Sequence, residues 1–294
     1  MTYSIIARDA DTGQFGVAVQ SHFLAVGANV PGLLAGVGAV ASQANLRVEY
    51  KSDGLRMLSA GASAEEALAA CLANDALPEV RQVAFIDSQG RTAAHTGSGC
   101  WNAAAHFSKS GVSAQANTVA SPAIPEAMIT AFETTGGSFA IRLLAALDAA
   151  EELGGDLRGR QSAAISIVGD LASRDAGDTL LDLRVDNDQE PLAQLRRAVD
   201  VAVAFAPLWR VIRGPACRGE VAPTPDETEE ALLVLDQAQQ GYGAENLEPT
   251  FWRAVAYWRA SQKEEARKLV SWIARENPGW SVLFDDVTSR WPIP

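Results

Sequence analysis

The alternation of apolar and polar side chains is clearest at the start of the chain. Tyr3, Ile5 and Ala7 alternate with Ser4, Ile6 and Arg8, and Phe15, Val17 and Val19 alternate with Gly16, Ala18 and Gln20. Two such runs joined by Asp9, Ala10, Asp11, Thr12, Gly13 and Gln14, with the Asp and Gly chemistry of a turn, predict a β-hairpin. A glycine- and alanine-rich apolar stretch over 36–42 predicts a strand buried on both faces. Ser63, Ala64, Glu65 and Glu66 form a capping box that opens a helix through Ala67, Leu68 and Leu72. Strands are predicted over 81–87 and 91–96, joined by a turn at Ser88, Gln89 and Gly90, with another over 111–117. Helices follow over 125–135 and 139–153, closed by Gly136 and Gly154, then strands over 162–168 and 180–185 and a helix from Pro191 towards Phe205. Pairs of strands alternating with pairs of helices argue for an α+β architecture rather than a doubly wound parallel sheet.

The pattern changes around Arg213, Gly214 and Pro215, and Pro223 and Pro225 extend the break. The expected organisation is therefore a large domain over 1–212, a linker over 213–223 and a small helical domain over 224–294. Helices are predicted over 225–240, 249–260 and 263–276, the last stopped by Asn277, Pro278 and Gly279. Five of the seven tryptophans (Trp252, Trp258, Trp272, Trp280 and Trp291) fall in this tail. Phe251, Val255 and Trp258, and Ala266, Leu269, Val270 and Ile273, recur at helical intervals and are expected to face each other. Tyr242, Trp280 and Trp291 fall outside those stripes and are the better candidates for a ligand surface or interface.

Composition narrows the partners. A net charge of -12 argues against nucleic acid, whose binding needs a basic face to release counterions. Neutral or cationic small molecules suit it better. The start of the chain lacks the basic and long apolar segments of a secretory signal, and no apolar run is long enough for a bilayer, so a cytoplasmic protein without membrane contact is expected. Three widely spaced cysteines, Cys71, Cys100 and Cys217, fit neither a disulfide framework nor a four-cysteine zinc site.

Candidate chemistry begins with Thr2. Removal of Met1, usual before a small residue, would place its hydroxyl beside a free α-amine of pKa roughly 7.7–8.0, able to act as general base. One residue would then supply nucleophile and base on a rigid strand. Gln20, Ser21, His22, Ser42 and Gln43 are the nearby polar residues that can orient it. Asn117, ending a strand of small residues, offers a side-chain amide to a developing oxyanion, or simply satisfies the backbone of the next turn. His95, Cys100 and His106 fall close together and raise a thiolate–imidazole or metal alternative, but match no strong ligand spacing; no metal or cofactor is expected. His95 can instead line the pocket. Asp11, Thr12 and Gly13 copy the aspartic-protease tripeptide in the wrong context, and 36–41 approximates a dinucleotide fingerprint that runs on into strand, not helix.

The run from Thr2 to Asp9, then Thr12, Gly13, Gly16 to Val19 and Ser21, resembles the N-terminal hairpin of N-terminal-nucleophile (Ntn) hydrolases. With Ala25 to Ala28, Gly36 to Gln43, Ala94 to Gly97, Gly159 to Ala164 and Asp182 to Asp186, the stretch to about Phe205 resembles domain-of-unknown-function family 1028 of that superfamily. The resemblance implies a four-layer αββα sandwich with a small all-α C-terminal domain, and hydrolysis of an amide-type bond. The chain departs from the proteasome-type pattern in its first lysine, Lys51, which falls outside the hairpin. The tail resembles a small module of the family's relatives to which peptidoglycan binding is ascribed. Three functions follow as expectations: an amidohydrolase using Thr2 on a small amide, with a cell-wall fragment among the candidates; a non-catalytic ligand-binding protein reusing the fold; and a hydrolase using Cys100 with His95. A homo-oligomer is a further expectation.

Overall fold

The computed structural model describes residues 2–101, 103–170, 179–218 and 221–290. The chain divides into two compact units, Met1–Arg196 and Arg197–Pro294.

In the first unit β1 (Thr2–Arg8) and β2 (Phe15–Ser21) form the expected hairpin, with Tyr3 opposite Gln20 and Arg8 opposite Phe15. Its turn is closed by Asp9, whose carboxylate accepts from both the backbone N–H and the hydroxyl of Thr12, each at 2.9 Å. A short helix α1 (Val26–Asn29), β3 (Pro31–Leu34) and β4 (Gly38–Ala44) follow, then α2 (Glu49–Ser59) and α3 (Ala64–Ala73). Strands β5 (Arg81–Asp87), β6 (Thr92–Thr96), β7 (Ala104–Lys109) and β8 (Val112–Asn117) lead to α4 (Ile124–Thr134) and α5 (Phe139–Glu152). The unit continues through β9 (Ser162–Val168) and β10 (Thr179–Val185) into α6 (Pro191–Arg213).

The strands form a six-stranded sheet in the order β10-β9-β2-β1-β8-β7 and a four-stranded sheet in the order β3-β4-β5-β6. Every strand pair is antiparallel. Strand alternation decides which residues meet between the sheets. Ile6, Val17 and Val19 of the larger sheet pack against Ala39, Ala41, Ala84 and Ile86 of the smaller. On the outer face of the larger sheet the missing side chain of Gly16 makes room for α5, where a Cβ would lie 2.6 Å from Leu143 and 2.8 Å from Phe139. On the outer face of the smaller sheet Gly54 of α2 does the same, a Cβ there meeting the Phe85 ring at 2.1 Å. Helices α4 and α5 thus cover one sheet and α2 and α3 the other, the helix–sheet–sheet–helix layering of an α+β sandwich. Helix α3 begins at the capping box expected from Ser63 and Glu66, and Asp87 of β5 accepts from the Ala64 N–H at 3.1 Å.

The second unit holds the remainder of α6 with α7 (Pro215–Arg218), α8 (Pro225–Tyr242), α9 (Glu248–Arg259), α10 (Lys263–Glu276) and α11 (Gly279–Arg290). The α9 and α10 stripes share one core: Phe251, Val255, Ala266, Val270 and Ile273 are buried in it, with Trp258 and Leu269 packed against them. Phe251 is its hub, 5.1 Å from the Trp252 ring and 5.2 Å from Trp280. Trp280, expected outside the stripes, therefore contributes to packing, while Trp291 lies outside the described residues. The stretch 213–223, read as a linker, holds the end of α6 and all of α7. Arg259, fully buried, ties it down by donating to the carbonyls of Pro215 at 3.3 Å and Val221 at 2.7 Å. Among the described residues no helix is long and apolar enough to cross a membrane.

Candidate active site

Thr2 heads β1, with β8 on one side and β2 on the other. Asn117, the last residue of β8, is its register partner, and Ser21 ends β2 alongside. Alternation turns Thr2, Ser4 and Ile6 towards the smaller sheet and Tyr3, Ile5 and Ala7 towards the helices. The first group opens a polar seam inside an otherwise apolar interior.

The seam is held by side-chain amides. The Thr2 hydroxyl donates to Ser21 Oγ at 3.1 Å, and Thr2 is 7% exposed. Its carbonyl accepts from Gln43 Nε2 at 3.2 Å and from Asn117 Nδ2 at 3.4 Å. Gln82 Oε1 accepts from both of those amides, at 2.7 Å from Gln43 and 3.0 Å from Asn117. Ser4 Oγ donates to Gln43 Oε1 at 2.7 Å and accepts from Gln115 Nε2 at 2.6 Å. Buried polar groups must pair in this way, because an unmade hydrogen bond away from water costs about 1–3 kcal/mol. The consequence is a Thr2 main chain fixed from two sides. Immediately beyond the seam, Ala44 and Thr118 adopt φ of 67° and 53°, the left-handed region that a β-branched residue such as Thr118 rarely occupies. Both strands turn away sharply once Gln43 and Asn117 are in place.

The expected site residues separate by strand face. Thr2, Ser21, Gln43 and Asn117 come together. Gln20 does not: it sits opposite Tyr3 on the helix-facing side, fully buried, with neither amide atom hydrogen-bonded among the described residues. His95 is opposite Val83 on the outer side of the smaller sheet, where its Nε2 meets the Pro78 carbonyl at 2.9 Å. His22 lies just past the end of β2, its backbone N–H donating to Asp156 at 2.9 Å. Ser42, also on the outer side of its strand, donates to the Arg47 carbonyl at 3.2 Å. Three further seam residues, Ser4, Gln82 and Gln115, were not singled out from the sequence. Their signal was a polar residue two positions from Thr2 or Asn117, or opening the apolar run of β5.

The electrostatics are those of a neutral site. Lys51 is engaged elsewhere: it donates to the Asn29 carbonyl at 2.5 Å and packs on Gly32 of β3, and burial lowers its pKa. The titratable group joined to the seam is His106, whose Nδ1 meets Thr96 Oγ1 at 2.9 Å while Thr96 accepts from Gln82 Nε2 at 3.0 Å. Burial, and then the proximity of His95, lowers the His106 pKa and favours the neutral ring. Both hydrogens of the Asn117 amide are taken by Thr2 and Gln82, so in this arrangement it positions Thr2 rather than offering a donor to an oxyanion. Cys100 donates to the Arg81 carbonyl at 3.3 Å, and burial raises its thiol pKa, which opposes a thiolate nucleophile. Among the described residues no group of three or more His, Cys, Asp or Glu side chains could hold a metal ion.

None of the curated proteins compared with the chain matches it. A crystal structure of a Silicibacter pomeroyi protein, itself described under the family label DUF1028, is similar to this chain with 30% sequence identity and a TM-score of 0.62. The likeness covers 68% of this chain and 88% of that one. The model of the same family, described as a family of unknown function, matches residues 2–195, the strands and helices that build the sandwich and its seam. The chain thus belongs to the DUF1028 family.

Proposed function

We propose that the sandwich is an amidohydrolase of the N-terminal-nucleophile type, acting on a small neutral amide. The observation that carries this reading is the treatment of Thr2: its hydroxyl is directed at Ser21 and its carbonyl is clamped by Gln43 and Asn117. Such positioning is what a nucleophile needs.

After removal of Met1 the Thr2 α-amine takes the hydroxyl proton as Oγ1 attacks the amide carbon. The C–N bond then breaks, the proton passes to the leaving nitrogen, and an ester on Thr2 remains. Water attacks that ester, releasing the carboxylic acid and restoring the hydroxyl. Ser21, Gln43 and Asn117 hold the geometry through both steps, with Gln82 behind the two amides. The side chains joined to Thr2 here, Ser21, Gln43, Asn117 and Gln82, are uncharged hydroxyl and amide groups that suit hydrogen bonding to a neutral amide.

A non-catalytic ligand-binding reading draws support from Lys51, the first lysine of the chain, whose ammonium is engaged by the Asn29 carbonyl. Turnover separates the two. The Ntn reading expects full-length protein lacking Met1 to hydrolyse members of a panel of fluorogenic N-acyl amides. Thr2→Ala should abolish this and Thr2→Ser retain part of it. Activity undiminished in Thr2→Ala would reject the mechanism. In the helical unit, Tyr242 and Trp280 line a shallow concavity with Asn246, Glu276 and Asn277, a lining suited to stacking and hydrogen bonding with a cell-wall fragment. Titration with a muramyl peptide, followed by tryptophan fluorescence, tests that role.

A further inference from the structure

Resting on the amidohydrolase reading, we infer that the substrate carries a bulky apolar group beside its scissile amide, received by a rim of Phe23, Trp101 and Leu157. These side chains are 51%, 76% and 61% exposed. Single exposed apolar residues are ordinary on protein surfaces. Their placement is what sets these apart, because the loops that carry them are stitched to the end of the sandwich where Thr2 lies.

The stitching can be followed bond by bond. His22 succeeds Ser21, and its N–H donates to Asp156 at 2.9 Å. Leu157, next in the chain, donates its N–H to the carbonyl of Thr118 at 3.4 Å, and Thr118 succeeds Asn117. The N–H of Thr118 in turn donates to the Trp101 carbonyl at 3.2 Å. The Phe23 carbonyl accepts from the Ser162 hydroxyl, and the Gln161 N–H donates to the Ser21 carbonyl at 3.2 Å. The loop backbone thus runs as an arc along the strand ends that hold Thr2, and the left-handed φ of Thr118 lies within it. Within these loops Asp156 pairs with Arg158 at 3.3 Å. An apolar rim beside the Thr2 strand end selects an amide with a large apolar substituent over a small or an acidic one, because a charged substituent would be set against apolar side chains.

The test uses full-length protein and calorimetric binding of phenylacetamide, acetamide and succinamate. Phenylacetamide should bind at least about tenfold tighter than either, a difference of about 1.4 kcal/mol. The Trp101→Ala/Leu157→Ala double variant should lose that preference, whereas Leu77→Ala, at an exposed apolar residue outside these loops, should keep it. In turnover, kcat/KM for phenylacetanilide relative to acetanilide should fall about tenfold in the double variant. Equal binding of the three amides, or an unchanged preference in the double variant, overturns the assignment. So does a change in oligomeric state in the double variant, which would make the rim an interface between copies. If no amide is hydrolysed but the preference exists and depends on the rim, the hydrolase reading fails while the rim stands.

Discussion

Replacing Gln82 by methionine keeps a long side chain between the sheets but removes every hydrogen bond the amide makes. Gln82 accepts from Gln43 at 2.7 Å and Asn117 at 3.0 Å, and donates to Thr96 Oγ1 and to the carbonyls of Ala116 and Ala105 at 3.0, 2.9 and 3.2 Å. The loss is not the full value of each. Gln43 keeps the Thr2 and Gln115 carbonyls at 3.2 and 3.3 Å, and Asn117 keeps Thr2 at 3.4 Å. Two weakened donors and two carbonyls without their side-chain partner, at the low end of about 1–3 kcal/mol for each buried group, give a destabilisation of roughly 3 kcal/mol. With a urea m-value of about 3 kcal/mol/M, the midpoint should fall by about 1 M at unchanged slope. Urea denaturation followed by far-ultraviolet circular dichroism measures it. A loss below about 1 kcal/mol would show that Gln82 is not energetically coupled to its partners, and the picture of a clamped Thr2 would lose its support.

The hydrogen bond from Arg81, with help from the Leu77 N–H and the Tyr50 hydroxyl, overcomes burial and holds the Asp75 carboxyl well below its usual range. A depressed carboxylate stabilises the fold above its unfolded pKa of about 3.9 and loses that contribution as pH falls through the folded value. Asp75→Asn should therefore be less stable at pH 7, with a shallower loss in acid below about pH 4; thermal melts across that range check it. Cys100, its thiol raised by burial, should react slowly with iodoacetamide at pH 7 and faster as pH rises, and Cys100→Ser should leave hydrolysis intact; loss of activity would revive the cysteine mechanism. Gly97→Ala would bring a Cβ to 2.2 Å from the Glu79 carbonyl oxygen, backbone that cannot rotate away, and should cost about 2 kcal/mol in the same urea assay.

Much of this architecture was legible in the chain because the strongest signals are local. The β1–β2 hairpin shows in its alternation and turn, and α3 begins at the capping box read from Ser63 with Glu66. The misses have physical causes. Helix α2 was not anticipated because Gly54 interrupts it, a residue required by the Phe85 ring rather than by the helix. Helix α6 was expected to end near Phe205 but continues past Pro207 to Arg213. Asn277, Pro278 and Gly279 do stop α10 at Glu276, but the same turn opens the unanticipated α11, the Asn277 side chain accepting from the Gly279 N–H at 2.9 Å. Strand β7 lies at a sheet edge with side chains partly exposed on both faces, so it lacks the alternation that a buried face imposes. At the candidate site, Thr2 and Asn117 stood out by position, and Ser21 and Gln43 as polar residues of the hairpin and of the next strand. Gln82 and Gln115 did not, because their part depends on sheet register, which one chain read alone does not specify. The same register sends Gln20 and His95 to the outer faces.

The central claim is that Thr2 is the reactive N-terminus, and covalent capture tests it most directly. Full-length protein incubated with a β-lactone, whose ring opens on an activated hydroxyl, is digested and its N-terminal peptide is read by tandem mass spectrometry. The account predicts a peptide that begins at Thr2 and carries one acyl group on the Thr2 hydroxyl, with no adduct in Thr2→Ala. Retention of Met1, or an adduct that persists on Cys100 or Ser21 in Thr2→Ala, would contradict it.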